Sequence, residues 1–185
     1  MNTKITLKKI IGHLRTVHLH RKWVRYFCFK FGLYKQGLLH DLSKYGITEF
    51  AESAKYFQGN KSPIEARKAA YGYSIAWQHH KGHNPHHWEY WIDNIGTYEN
   101  KPIMIPQQYV IEMICDWVGA GIVYSGNKPN YNKPYTEPMD YYIAHCNERI
   151  FHPVTKREIE RLLRIIADDG INAFCKACKG VRDND

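Results

Sequence analysis

Helical periodicity is the feature that most restricts the fold of this 185-residue chain. Apolar residues recur every three or four positions through most of the sequence, whereas alternation of apolar and polar residues never lasts longer than a few positions. The longest periodic segment, Thr6–Phe31, predicts one helix that ends at Gly32. The pattern therefore predicts an all-α protein.

Shorter helical segments follow, and glycine, proline and asparagine residues separate them. Two begin with capping boxes, at Ser62–Glu65 and Thr155–Glu158, and Ser125–Pro138 predicts a loop. We expect a single domain over residues 1–185, with a core at about 6–124 and C-terminal helices at about 139–178. The predicted helices after the first are approximately Gln36–Lys44, Thr48–Phe57, Ser62–His80, His86–Asn94, Pro106–Tyr124, Met139–Ile150 and Lys156–Asp169.

The composition is that of a folded, basic protein. A hydrophobic content of 44% and an aromatic content of 14% oppose disorder. The net charge of +8 favours anionic partners, such as nucleotides, nucleic acid or an acidic protein. No apolar run is long enough to span a membrane, and Met1–Lys9 does not resemble a signal peptide, so we expect a cytoplasmic protein.

The cysteines do not predict a disulfide framework, because their number, five, is odd and their spacing irregular. Cys175 and Cys178 form a lone Cys-x-x-Cys pair. A structural zinc site would need a second pair, or a nearby histidine, to complete it. We therefore expect these two residues to be ordinary helix cysteines.

The segment Gly37–Lys44 places His40 and Asp41 side by side in a predicted helical turn. We expect one side of this turn to be buried through its three leucines, Leu38, Leu39 and Leu42. An ionised carboxylate against such a surface is costly unless it is compensated, and a divalent metal ion is a partner that imidazole and carboxylate groups share. The alternative is a solvated helix edge.

Other predicted helices also direct polar residues inward. His20 shares a face with Val17 and Val24, and Asp116 lies in the apolar row of Met113 and Ala120. His79 and His80 lie at the end of the Ser62 helix. One buried histidine is commonly a core residue bonded to a carbonyl group, but four coincident cases favour a shared metal site.

The order of these residues resembles that of the HD-domain metal-dependent phosphohydrolases: His, then His-Asp, then His-His, then a distal Asp. Leu38–Lys44 is similar to the central helix of that superfamily, and Met113–Asp116 to its last-ligand helix. Over most of its length the chain also resembles an uncharacterised group of small bacterial and phage proteins related to the superfamily. The segments that carry this second resemblance are His20–Val24, Gly37–Tyr45, His79–Gly82 and His86–Trp91.

The resemblance implies an HD-like helical bundle and a ligand set. One divalent ion (Mn, Fe, Co, Zn, Ni or Mg) would be held by His20, His40, Asp41 and Asp116. Asp41 would bridge to a second ion, if there is one, completed by His79, His80 and either His86 or His87.

The resemblance also implies roles around the metal. Lys44 would contact the phosphate or orient Asp41, and Arg21 and Arg25 are candidate phosphate contacts. Deoxynucleotide phosphatases of the superfamily have a glutamate where this chain has Lys44, so Glu112 is the candidate substitute for their general acid. The Gly-Tyr-Pro signature of the cyclic-dinucleotide phosphodiesterases is absent from the chain.

Two function classes follow. The first is a phosphohydrolase acting on a nucleotide or another phosphorylated small molecule. The second is a non-catalytic HD-like module that binds nucleotide or nucleic acid through its basic surface. The aromatic residues Trp88 and Trp91 fit either class, since they could pack under their loop or stack on a nucleobase.

Overall fold

A computed structural model describes residues 4–59, 61–93 and 101–179, and this part of the chain is all-α, as predicted. Short 3-10 helices lie at Leu42–Tyr45, Trp88–Trp91 and Cys146–Glu148. The strands β1 (Ile92–Asp93) and β2 (Lys101–Pro102) form one antiparallel pair. Residues 94–100 between them, which include the last residue of the helix predicted over His86–Asn94, lie outside the described residues. The α-helices are α1 Leu7–Lys30, α2 Tyr34–Leu39, α3 Ile47–Tyr56, α4 Pro63–Tyr71, α5 Ile75–His83, α6 Gln107–Ser125, α7 Glu137–His145, α8 Pro153–Asp169 and α9 Ile171–Ala177.

The two longest helices, α1 and α6, pack against each other. Helix α1 begins after Thr6, whose side chain accepts a hydrogen bond from the Lys9 amide, and it buries Val24 and Phe27. On α6, a Cβ added at Gly119 would come within 2.9 Å of Val24. The absence of a side chain at Gly119 therefore lets the two backbones approach closely.

One apolar core joins both halves of the chain. It includes Phe27 of α1, Ile114 of α6 and Phe174 of α9. Helix α8 contributes Ile159, Leu162, Leu163 and Ile166, which lie on one face of the helix. Cys178 at the end of α9 is buried in this core, and all five cysteines are free. None of the helices in the described ranges is long and apolar enough to cross a membrane.

The long helix predicted from Ser62 to His80 is in fact two helices. Gly72, at φ +79°, ends α4, and Ser74 starts α5 by accepting a hydrogen bond from the Trp77 amide. Tyr73 lies between the two helices and is mostly exposed. A glycine in the left-handed region interrupts a helix even where the apolar period continues.

Neither predicted capping box forms. Ser62 makes no side-chain cap, although Pro63 does occupy the first turn of α4. Helix α8 begins at Pro153, before the predicted box. The Thr155 hydroxyl instead accepts a hydrogen bond from the Ile105 amide, which joins α8 to the segment before α6.

The helix predicted over Gln36–Lys44 is also wrong. Helix α2 ends at Leu39, and Asp41 adopts φ +54°, the only non-glycine residue in the described ranges with a positive φ. Because of this turn, His40 and Asp41 face inward while the leucines face solvent. The expected burial of the leucines is therefore wrong: Leu38, Leu39 and Leu42 are 52%, 54% and 46% exposed.

Candidate metal centre

Four of the predicted ligands meet at one point between α1, the turn after α2, and α6. Nε2 of His20 lies 2.9 Å from Oδ1 of Asp116 and 3.4 Å from Oδ2 of Asp41. Nε2 of His40 lies 3.3 Å from Nε2 of His20 and 3.4 Å from the same Asp41 oxygen. One ligand atom from each residue fits within 4.8 Å of the others, which is close enough to share an ion.

A second group forms on the other oxygen of Asp41. Nε2 of His80 lies 3.2 Å from Oδ1 of Asp41, and Nε2 of His86 lies 3.4 Å from it. His87 completes this group within the same 4.8 Å limit. Asp41 therefore lies between two sets of imidazoles, with one carboxylate oxygen toward each.

Unsatisfied buried atoms test whether a cation fits here. Asp41 is fully buried, and neither of its oxygens makes an aligned hydrogen bond, although Nζ of Lys44 forms an ion pair with Oδ2. Nε2 of His86 and Nε2 of His87 are also buried without a hydrogen-bond partner. Asp41, His86 and His87 each offer one ligand atom within 4.8 Å of the others. Imidazole with carboxylate is a usual ligand combination for divalent transition metals. The residues present fit such an ion.

Two outer carboxylates hold three of these imidazoles. Glu112 accepts from Nδ1 of His40 at 2.8 Å and lies 3.2 Å from Nδ1 of His86. Glu49 of α3 accepts from Nδ1 of His80 at 2.8 Å. A carboxylate on Nδ1 fixes the ring and leaves Nε2 free to bind a metal ion. Both glutamates are nearly inaccessible to solvent.

Glu49 is a residue that sequence reasoning missed. It shares the buried face of α3 with Ser53 and Tyr56, at spacings of four and three residues. The sequence signal that could have revealed Glu49 is a carboxylate at a helical position that faces the interior. Its other oxygen accepts from Nδ1 of His79 at 2.7 Å, so the structure places His79, a predicted ligand, beside the outer carboxylate rather than in either ligand group.

The segment that carries His86 is held by hydrogen bonds. Asn84 donates from its side chain to the His80 carbonyl at 2.7 Å and to the Ser43 hydroxyl at 3.0 Å. The Trp91 indole donates to the Pro85 carbonyl at 2.6 Å. These bonds connect the end of α5, the turn after Asp41 and the loop into one unit that aims His86 inward.

Arg21 holds the backbone of the His-Asp turn. Its Nε donates to the His40 carbonyl at 2.7 Å and its Nη2 to the Leu38 carbonyl at 2.9 Å. The structure therefore gives the predicted phosphate contact Arg21 a main-chain partner on the turn. Arg25, the other predicted contact, is exposed on α1.

The electrostatic balance keeps the carboxylates ionised. Burial opposes ionisation, but the charges of His40, Lys44 and His80 outweigh it and hold the pKa of Asp41 well below its usual value. Hydrogen bonds from His20 and His40 likewise outweigh burial and lower the pKa of Asp116 strongly. Two ionised aspartates, the fully buried Asp41 and the partly buried Asp116, supply negative charge that favours a cation.

The pKa values of the histidines at the centre shift in different directions. Burial lowers the pKa of His86, but the nearby charges of Glu112 and Asp41 raise it well above the usual value. For His87, burial and the neighbouring charges of His86 and His80 lower the pKa strongly. His87 is therefore neutral at neutral pH, the form in which imidazole binds metals.

A cavity of about 1160 Å³ opens onto the centre. Its walls include His20, Lys44, Asp116 and His86, together with aromatic residues from α6 and α7. Trp88 also lines the cavity while it packs against Phe151, at a distance of 6.1 Å between ring centroids. The volume is somewhat larger than the roughly 300–1,000 Å³ of typical small-molecule sites, so a small organic ligand would fit.

Comparison with known proteins gives a family. No curated protein and no solved structure matches the chain. A model for a family of unknown function, DUF5662, matches residues 9–165, a range that contains every residue of the two ligand groups and both outer carboxylates. The chain belongs to this family.

Proposed function

We propose that the protein is a metal-dependent phosphohydrolase of the HD type that acts on a nucleotide or another phosphate ester. The observation that carries the proposal is the position of Asp41 between two sets of imidazoles, of which His20, His80, His86 and His87 line a large cavity. The resemblance of the His, His-Asp, distal Asp order to the HD superfamily supports the same conclusion.

Two ions fit the donor set. His20, His40, Asp41 and Asp116 would hold one, and Asp41 with His80, His86 and His87 would hold the other. Imidazole-rich sites with carboxylates suit Mn, Fe, Co, Ni or Zn, and Mg is the least suited of the candidate metals. When bound, such an ion supplies a Lewis acid and lowers the pKa of a coordinated water toward neutrality.

Lys44 is the residue best placed to bind the phosphate. Its ammonium group pairs with Asp41, its side chain remains about one quarter exposed, and it lines the cavity. The negative charges of Asp41 and Asp116 outweigh burial and raise the pKa of Lys44, so the group carries its charge at neutral pH. A cation here would neutralise phosphoryl oxygens.

Glu112 fits a positioning role better than that of general acid. It is only 4% exposed, and its Oε1 faces Nδ1 of both His40 and His86. Arg21 likewise acts through the turn, since it holds the backbone next to Asp41. Both residues would orient ligands rather than touch the substrate.

The test combines metal analysis with turnover. Protein purified without chelator is analysed for metal and assayed for phosphate release from nucleotides and other phosphate esters, with and without added Mn²⁺, Co²⁺ or Mg²⁺. Asp41→Asn should abolish turnover, whereas Asp140→Asn, an exposed aspartate of α7, should not change it. Absence of turnover with every metal, together with nucleotide or nucleic-acid binding that weakens steeply with salt, would favour the non-catalytic binding module instead.

A further inference from the structure

Arg149 is a cavity residue that the metal centre does not use. Its guanidinium lies over the rings of Trp117 and Tyr141, with Cζ 4.7 Å and 4.8 Å from the two centroids. All three residues line the 1160 Å³ cavity that opens onto the metal centre. Trp117 follows Asp116 directly on α6, so this wall continues from the ligands.

The guanidinium of Arg149 makes no close ion pair with the described residues. Its Nη1 is buried without a hydrogen-bond partner, and no carboxylate in the described ranges lies within ion-pairing distance of the guanidinium. Glu89 and Glu148 line the same cavity but do not approach that closely. Arg67 is different, since it too has a buried Nη1 but pairs with Glu52 at 3.4 Å.

A guanidinium that lies over two rings and has a free buried N–H is prepared to bind an anion. Contact with both rings restricts the side chain, so little conformational freedom is lost when a ligand binds. A buried donor without an acceptor is costly, and an oxyanion would remove that cost through a charge-assisted hydrogen bond. Phosphate and carboxylate are the groups that an arginine fork binds best.

We infer that Arg149 binds a second anionic group, a phosphate or a carboxylate, on a substrate whose reacting phosphate lies at the metal centre. This inference rests on the proposed function, because it takes the metal centre as the place of reaction. It narrows the substrate class to phosphate esters that carry another negative group. Arg149 would thus determine specificity and leave the reaction itself to the metal centre.

Binding by matched ligand pairs tests the inference. Calorimetry on the metal-loaded protein, at fixed ionic strength and at a temperature low enough for phosphate release during the titration to be negligible, compares adenosine 3′,5′-bisphosphate with adenosine 5′-monophosphate, and 3-phosphoglycerate with glycerol 3-phosphate. The first pair adds a phosphate and the second a carboxylate. The wild type should prefer the doubly anionic member of at least one pair by about tenfold or more, the value of a charge-assisted bond.

Variants assign that preference to Arg149. Arg149→Gln should abolish this preference, and Arg149→Lys should retain part of it. Arg164→Gln, which removes the same charge from an exposed site on α8, should have no effect. Thermal unfolding of each variant identifies any loss of fold, and Arg149→Lys remains informative if the glutamine variant is unstable.

Turnover separates this inference from the proposed function. Phosphate release with equal KM for both members of each pair, and no preference in binding, would overturn the role of Arg149 and leave the hydrolase intact. A preference that depends on Arg149 without any turnover would support the anion site and overturn the hydrolase. Absence of both would overturn both.

Discussion

Glu112 accepts a hydrogen bond from Nδ1 of His40 at 2.8 Å, and this bond directs Nε2 of His40 toward His20 and Asp41. The same glutamate lies 3.2 Å from His86, so one buried carboxylate orients a ligand from each of the two groups. Its removal should therefore affect metal binding at both sites.

Glu112→Gln should weaken metal binding by about 10- to 100-fold, the usual cost of losing a carboxylate behind a ligating histidine. An amide keeps the size of the side chain but not its charge, so the fold should persist. Competition with a fluorescent chelator measures the affinity. Glu158→Gln, which alters an exposed ion pair with Arg161, is the matched control, and an equal effect in both variants would contradict the prediction.

The chain should bind two ions. Elemental analysis should give two ions per chain for the wild type and for His79→Ala, because His79 lies outside both ligand groups. The double variant His86→Ala, His87→Ala should retain one ion, held by the group around His20. A single ion in the wild type that survives this double substitution would show that the second group does not bind metal.

Metal should stabilise the folded chain through Asp41. An ion present at 100 times its Kd adds about 2.7 kcal/mol to the free energy of unfolding, which for a chain of this size raises Tm by about 5–10 °C. Chelation should remove that increase. In Asp41→Asn the increase should be absent, and because asparagine tolerates the positive φ of this residue, differential scanning fluorimetry should still show cooperative unfolding.

Arg21→Ala should destabilise the fold by about 1–3 kcal/mol, because two hydrogen bonds from a charged group to the Leu38 and His40 carbonyls are lost. Arg21→Lys should recover only part of this loss, since one ammonium group cannot reproduce the two hydrogen bonds that Nε and Nη2 of Arg21 donate. Urea unfolding gives the free energies. Arg25→Ala, on the exposed side of the same helix, should have an effect close to zero.

His13 should make the fold sensitive to acid. Burial and the charge of Lys44 lower the pKa of His13 to about 4, and neither ring nitrogen has a hydrogen-bond partner. Between this pKa and the unfolded value of 6.5, the unfolded chain binds more protons, so stability is complete above pH 6.5 and falls as the pH approaches 4. The loss from this group should reach up to about 3 kcal/mol.

His13→Leu isolates that contribution. The variant should lose less stability than the wild type between pH 7 and pH 4.5, as measured by urea unfolding at each pH. His18→Leu, an exposed position on the same helix, should retain the wild-type slope. Equal slopes in all three proteins would assign the acid sensitivity to other groups.

The sequence predicts the long helices well because each presents a sustained apolar period. Thr6–Phe31 corresponds to α1, Leu7–Lys30, and Pro106–Tyr124 corresponds to α6, Gln107–Ser125. Short elements were less predictable. The left-handed residue at Asp41 and the glycine break at Gly72 interrupt helices without changing the spacing of apolar residues.

The same distinction between predictable and unpredictable elements applies to the ligands of the candidate site. The structure brings together His20, His40, Asp41 and Asp116, whose inward direction follows from helical spacing or from their position next to the turn. His86 and His87 lie in a loop, where direction depends on tertiary hydrogen bonds such as those of Asn84. The spacing of residues in the sequence carries no information about such bonds. It therefore could not indicate whether His79 or the loop histidines His86 and His87 are the ligands.

The ligands of the centre lie far apart along the chain, from His20 on α1 to Asp116 on α6. A chain that has formed only its local helices cannot assemble this set, since it requires the docking of α1, α5 and α6 around the turn at Asp41. Contacts that are absent from the folding transition state act mainly on the rate of unfolding. We expect the metal site to belong to this class, so that a bound ion slows unfolding and leaves the rate of folding almost unchanged.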